Sequence, residues 1–190
     1  MEIFLRIVKK IHLMLRIYKY HFLSDAFNKT SNAVLGQPVL FTGKGKITLG
    51  KCSLGCWPSP FFHNGYAHIE AREASASVVI ADGVVINNNA CIIAERTSVS
   101  IAKDTLIGPN LCIFDSDFHG IDPSHRQDGS HACAPVFIGE NVFIGFGVTI
   151  LKGVTVGSNS VIASGSIVTK SVPENVVFGG NPGRVISVIA

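Results

Sequence analysis

From residue 138 the chain divides into successive blocks of six: IGENVF, IGFGVT, ILKGVT, VGSNSV, IASGSI and VTKSVP. The first position of each block is Ile138, Ile144, Ile150, Val156, Ile162 and Val168; the fifth is Val142, Val148, Val154, Ser160, Ser166 and Val172. A period of six fits neither the 3.6-residue turn of a helix nor plain two-residue alternation. It fits a chain that turns a corner every six residues and sends one aliphatic side chain inward per face. Three faces then make a coil, and neighbouring coils pair as parallel strands. The aliphatic stack fills a narrow prism, and Gly and Asn near the corners supply the backbone freedom that the bends demand.

The same beat runs upstream at Ile80, Ile86 and Ile92, and again at Ile101, Ile107 and Ile113. The step from 92 to 101 implies three residues inserted at a corner. Residues 34–79 keep a ragged version, with Leu40, Ile47 and Leu49 as its inward candidates, interrupted by the irregular stretch WPSPFFHNGYAHIEAR (57–72). Residues 118–135, FHGIDPSHRQDGSHACAP, have no inward aliphatic series and should leave the prism as a loop.

Residues 3–22 predict a helix. Phe4, Ile7, Val8, Ile11, Met14, Leu15, Tyr18 and Phe22 share one face, with Arg6, Lys9, Lys10, Arg16 and Lys19 on the other. Two uses fit this pattern: packing on the domain or a neighbouring subunit, or lying on an anionic membrane surface. The expected organisation is therefore a helical segment 1–24 followed by an all-β domain 25–190, with the loop 118–135 and a C-terminal tail 173–190.

Residues 1–23 hold a net charge of +4 out of +3 for the whole chain, leaving about −1 elsewhere. This excludes a broadly basic nucleic-acid face. With 47% apolar and 15% charged residues, long disorder is excluded too. The five cysteines fit no zinc spacing and read as small buried hydrophobes in a reducing compartment. Charges break any secretory apolar core, and no run approaches the roughly 20 apolar residues of a membrane span. A cytoplasmic protein is expected, with peripheral contact at the inner membrane face through residues 1–23 as an option.

The hexapeptide blocks, together with INNNACII (86–93), IGPNLCIFDSDFHGID (107–122) and the run from PVFIGENVFIG (135–145) to GNPGRVI (180–186), resemble the left-handed β-helix hexapeptide acyltransferases. The likeness is strongest to bacterial enzymes that acetylate sugars or polysaccharide precursors, such as galactoside and maltose acetyltransferases. The resemblance implies a left-handed parallel β-helix, acetyl-CoA as cosubstrate, no metal, and a homotrimer with active sites between subunits.

Acetyl transfer needs a base for the acceptor hydroxyl, donors for the thioester oxyanion and a grip on coenzyme A. His119 lies where the beat stops and matches the family's catalytic histidine; a neutral imidazole, with a reference pKa of about 6.5, can take a hydroxyl proton. Asp115 and Asp117 flank it. Either could hold its tautomer, or both could be turn residues bonding their own backbone. The resemblance places the oxyanion donor at the backbone N–H of Phe146, where relatives have a small residue, and puts Phe143 where they often have Trp. It also assigns Gly147, Ser164, Gly165, Thr169, Lys170 and Arg184 to coenzyme A, the two cations suiting phosphates. Asn87, Asn89 and Glu95 match its sugar-binding residues, although asparagines could equally form a corner ladder.

Three other readings remain beside O-acetylation. One is N-acetylation of an amino sugar nucleotide. Another is a zinc enzyme of the gamma carbonic anhydrase type, using His119, His125 and His131, which lie six apart but off the inward track. The last is a non-catalytic β-helix.

Overall fold

The computed structural model describes residues 2–189; Met1 and Ala190, the ends of the expected segments 1–24 and 173–190, lie outside the described residues. Helix α1 (Glu2–Leu23) comes first. The chain then winds through six coils, each contributing one strand to each of three parallel sheets among the described residues. The first sheet runs from Lys29–Ser31 through Lys46–Leu49, Ser77–Ile80, Ser98–Ile101 and Val136–Ile138 to Thr155–Val156. The second starts at Val34–Leu35 and ends on an antiparallel hairpin, Val176–Gly180 with Gly183–Val188. The third runs from Val39–Thr42 through Ala67–Ala71, Cys91–Ala94, Cys112–Phe114 and Thr149–Ile150 to Ile167–Val168.

Strand register explains the beat. In the first sheet Leu49, Ile80, Ile101, Ile138 and Val156 sit directly above one another. Leu54, Ile86, Ile107, Ile144, Ile162 and Phe178 do so in the second. Phe41, Ile69, Ile92, Ile113, Ile150 and Val168 form the third stack. All the first and fifth positions of the blocks from 138 are buried, the two serines included. Ser160 and Ser166 escape the penalty for burying a hydroxyl by donating to the carbonyls of Pro173 and Ala163.

The ragged region is also wound, as two full coils. Its phase differs from the sequence expectation at one point: Val39 and Phe41 face inward and Leu40 faces out, because the strand Val39–Thr42 alternates and the larger aromatic takes the core side. Ile47 and Leu49 are buried as expected.

Helix α1 closes the first coil. Asp25 N–H donates to the Phe41 carbonyl, and Phe41 N–H donates to Ser24 Oγ. Its docked face is not the apolar one. Leu13, Arg16, Ile17 and Tyr20 are the partly covered residues, with Arg16 donating to the Phe62 and Gly65 carbonyls and Tyr20 packed on Tyr66. Phe4, Ile7, Ile11, Tyr18 and Phe22 point away and are more than half exposed. The loop it meets, residues 56–66, offers both kinds of partner: the Phe62 and Gly65 carbonyls take the guanidinium, and Tyr66 under Tyr20 and Trp57 under Lys9 supply aromatic surface.

Core truncation gives a test of the winding. Ile113→Ala, which deletes one member of the third stack, should cost about 2–5 kcal/mol in urea unfolding, whereas Val79→Ala, on the outer face beside buried Ile80, should cost less than about 1 kcal/mol.

Candidate active site

Above the short connection 43–45, three further excursions leave the prism at the same edge, between the third and first sheets: residues 72–76, 95–97 and 115–135. Stacked coils place them one above another, so they contact each other. The middle one, Glu95-Arg96-Thr97, is the three-residue insertion marked by the step from Ile92 to Ile101.

The longest excursion carries His119. It is closed at its roots by an antiparallel bridge, Ser116 to Cys133, with Asp117 N–H donating to Ala132 O and Ala134 N–H to Asp115 O. Asp122 accepts from Ser124 N–H and starts a short 3-10 turn, Pro123–His125. His119 is exposed, and its Nδ1 lies 3.2 Å from the Arg126 carbonyl oxygen. A carbonyl can only accept, so Nδ1 carries the proton and Nε2 presents its lone pair outward. That is the tautomer a general base requires.

Both flanking carboxylates are engaged elsewhere, which corrects the expectation that one of them orients His119. Asp115 is fully buried and accepts from Glu95 N (2.6 Å), Arg96 N (3.3 Å), Thr97 N (2.8 Å) and Thr97 Oγ1 (2.8 Å). Asp117 Oδ1 pairs with Lys152 Nζ at 2.9 Å. A backbone carbonyl does the orienting instead.

Glu95, expected to meet the acceptor, is also withdrawn from solvent, at 6% exposure. Its Oε2 accepts from Ser116 Oγ and from His131 Nε2 (2.7 Å), with Cys133 Sγ at 3.7 Å; Arg72 approaches Oε1 at 3.8 Å. Burial alone pushes this carboxyl up, but the hydrogen bonds from Ser116 and His131 and the nearby positive charges outweigh it, and the net direction is down. Sequence reasoning missed Ser116 and Cys133 and weighed His131 only as a zinc ligand. The signal was there in the three-residue insertion, whose only neighbours along the edge are the two longer loops.

The three histidines spaced by six do not converge. His119 faces the Arg126 carbonyl, His125 faces Asp128 at 2.6 Å, and His131 faces Glu95.

A groove of about 460 Å³ runs along the outer face of the third sheet, lined by Tyr66, His68, Glu70, Asn89, Cys91, Asn110 and Cys112 among others. His68, Cys91 and Cys112 occupy one register row, and Glu70 and Ile93 the next. Of the three expected acceptor residues only Asn89 lines this groove. It has positive φ and donates to Asn110 Oδ1 at 2.9 Å, so it is also a rung of a corner ladder. Asn87 Oδ1 accepts from Asn88 N–H, and Asn88 itself is buried, holding the backbone of Cys56 and Pro60. The groove's charged wall is His68 and Glu70, which alternation places on one face of the strand, with Arg72 just past the strand end behind them: Glu70 lies 3.1 Å from His68 and 2.6 Å from Arg72. Burial raises the Glu70 carboxyl, and the bonds from Arg72 and His68 more than reverse it. Burial pushes the Cys91 thiol up to about 11, with Cys112 and Glu70 adding to it. All five cysteines are free, but only Cys52 is fully buried, so the others depart from the expectation of buried packing.

At the other end of the prism, Lys170 and Arg184 line one cleft of about 540 Å³ with Gly179, Asn181, Pro182 and Gly183. Two cations in a glycine-walled cleft suit phosphate groups. Thr169 is exposed beside it. Gly147 and Gly165 have positive φ, and a Cβ added at either would meet nothing within 4 Å, so the surface above them is open to a slender chain. Ser164 Oγ accepts from Phe146 N–H at 3.1 Å, and Gly147 N–H donates to Pro109 O. The expected oxyanion donor is therefore occupied in this structure, and the Ser164 side chain must turn aside to free it. The Phe146 ring stacks on Phe61 of the 56–66 loop at 6.3 Å, while Phe143 is half exposed.

Residues 135–170 match the bacterial transferase hexapeptide (six repeats) model. Nodulation protein L of Rhizobium meliloti (strain 1021) is 36% identical over 166 residues, covering 85% of this chain and 84% of that protein. Galactoside O-acetyltransferase of Lactococcus lactis subsp. lactis (strain IL1403) is 32% identical over 163 residues, covering 86% and 73%. Among solved structures, a galactoside acetyltransferase in complex with coenzyme A is similar with a TM-score of 0.52 and 30% identity, over 85% of this chain and 64% of that one. The chain belongs to the hexapeptide-repeat transferases, is an acetyltransferase of that family, and its prism is the family's left-handed β-helix.

Both Glu70 and Glu95 are held below the ordinary carboxylate value of 4.5. The stability they contribute is in place above that value and is lost as the pH falls through their folded-state values. Thermal unfolding followed from about pH 6 downward should show this acid loss in the native protein and a flatter profile in Glu70→Gln.

Proposed function

We propose that the protein transfers acetyl from acetyl-CoA to a hydroxyl of a sugar, in the making of a cell-surface polysaccharide or glycan. The observation that carries this reading is His119, exposed close to the root of an anchored loop with Nδ1 committed to a carbonyl and Nε2 free. His119 Nε2 takes the hydroxyl proton as the oxygen attacks the thioester carbonyl carbon. The carbon–sulfur bond of the tetrahedral intermediate then breaks, and the imidazolium returns the proton to the departing sulfur. The products are an acetyl ester and coenzyme A. Lys170 and Arg184 would hold the phosphates, and Gly147 and Gly165 leave room for the pantetheine arm. Phe146 N–H would meet the oxyanion once Ser164 turns aside. Asn89 and the His68–Glu70 wall supply donors and acceptors for sugar hydroxyls.

We place this chemistry between subunits of a homotrimer. In one chain, the cleft with Lys170 and Arg184 and the groove with Asn89 both lack His119 among their walls, which a neighbouring copy would supply. His119→Ala should lower kcat/KM by about 10²–10⁴ in an acetyl-CoA assay with sugar acceptors while leaving the mass of the assembly unchanged. Activity at the native level would reject the base assignment.

The outward stripe of α1 supports a second element of this reading: a cytoplasmic enzyme held at the inner face of a membrane. No helix among the described residues is long and apolar enough to cross one. The stripe of Ile7, Ile11 and Tyr18 is exposed with Lys10 and Lys19 beside it, a pattern that suits shallow insertion among anionic headgroups. Partition into anionic vesicles at low salt, abolished in the double variant Ile7→Asp, Ile11→Asp, is the expected result. Equal partition of the two proteins, or none by either, removes the membrane element.

A further inference from the structure

The stacked edge holds two reciprocal sets of bonds between residues 95–97 and the excursion that bears His119. Asp115, at the root of the excursion, caps three backbone N–H groups of 95–97. Glu95, in return, accepts from Ser116 at one root and His131 at the other, with Cys133 beside them, while Arg96 donates to the Gly129 carbonyl at 3.1 Å. The Ser116 hydroxyl faces two ways. It donates to Glu95 and accepts from Phe118 N–H at 2.8 Å. Phe118 is the residue before His119, and its φ of +60° is left-handed, a conformation that a bulky side chain keeps only where the surroundings hold it. Its ring is fixed in turn by Phe114, edge-on at 5.6 Å, and by the Arg72 guanidinium at 5.1 Å.

We propose that Glu95 is a positioning residue: through Ser116 and His131 it pins both roots of the 115–135 excursion and holds the strained Phe118 backbone that aims His119. This rests on the reading of His119 as the base. The carboxylate suits the task because it only accepts, and here one oxygen takes donors from two segments 15 residues apart in sequence. A glutamine could accept at one oxygen but would turn an N–H toward a neighbour. An alanine would leave the Ser116 hydroxyl and the His131 ring N–H without their acceptor.

The test uses the full-length protein, with Glu95→Gln, Glu95→Ala and, as a control, Glu73→Gln, which touches Arg96 from the exposed side. Arg126 lies exposed in the excursion and is a trypsin site, so cleavage after it reads the open population of the loop without reference to activity. Cleavage should rise on the order of tenfold in Glu95→Ala, less in Glu95→Gln, and not at all in Glu73→Gln. In the same order, kcat should fall, with KM for acetyl-CoA unchanged. If Glu95→Ala does not accumulate as folded protein, Ser116→Ala and His131→Gln, each removing one bond, must show the increased cleavage.

Unchanged cleavage in folded variants overturns the proposal. So does a rise confined to the KM for the sugar, which would make Glu95 a binding residue. Stoichiometric metal in the native protein that is lost in Cys133→Ser overturns it as well, because Glu95, His131 and Cys133 offer donor atoms within 4.8 Å of one another and would then be ligands. Faster cleavage in Glu95→Ala together with full activity in His119→Ala would leave the loop clasp standing and reject only the base assignment.

Discussion

Everything in this molecule is subordinate to a core one side chain thick. Each strand sends in only one or two apolar residues, and the residue above each must match in position and size. Leu49, Ile80, Ile101, Ile138 and Val156 form one such column, and the other two faces repeat the arrangement. Within such a column no residue can be added or removed along a face without shifting every later side chain off its inward position. Extra residues are tolerated only at corners, where the chain already points outward.

That rule accounts for what could be read from the sequence. The blocks from 138 to 172 announce their own phase, because six consecutive turns lack any insertion. The apolar and basic faces of residues 3–22 announce a helix. In the early coils the phase was harder to find, since Val39–Thr42 alternates by two and Leu40 is as aliphatic as its inward neighbours. Register with Ile69 decides it in favour of Phe41. The helix is legible as an element and not in its orientation, because part of its docking runs through Arg16 to the Phe62 and Gly65 carbonyls, a contact that apolar periodicity does not reveal.

The site divides the same way. Lys170 and Arg184 are near in sequence and meet in one cleft, and His119 stands out because the beat fails around it. Asp115, Asp117 and Glu95 sit beside a catalytic candidate, and proximity along the chain made them look functional. Their actual partners come from stacking: Asp115 reaches a corner about one coil earlier, Glu95 reaches the far end of an excursion, and Asp117 reaches Lys152 in the coil above. Such pairings follow from the pitch of the winding and appear in no local motif. The serine that meets Phe146 is a similar case, since Ser164 lies one coil above it.

The edge between the third and first sheets gathers three inserted segments in a vertical row, each touching the next through Arg72, Arg96 and Glu95. Growth or exchange of any one segment leaves the aliphatic columns untouched but alters the shape of the two beside it. The outline of this rail can therefore change through loop length alone, at little risk to folding, whereas the regular coils and the closing hairpin have no comparable freedom to vary.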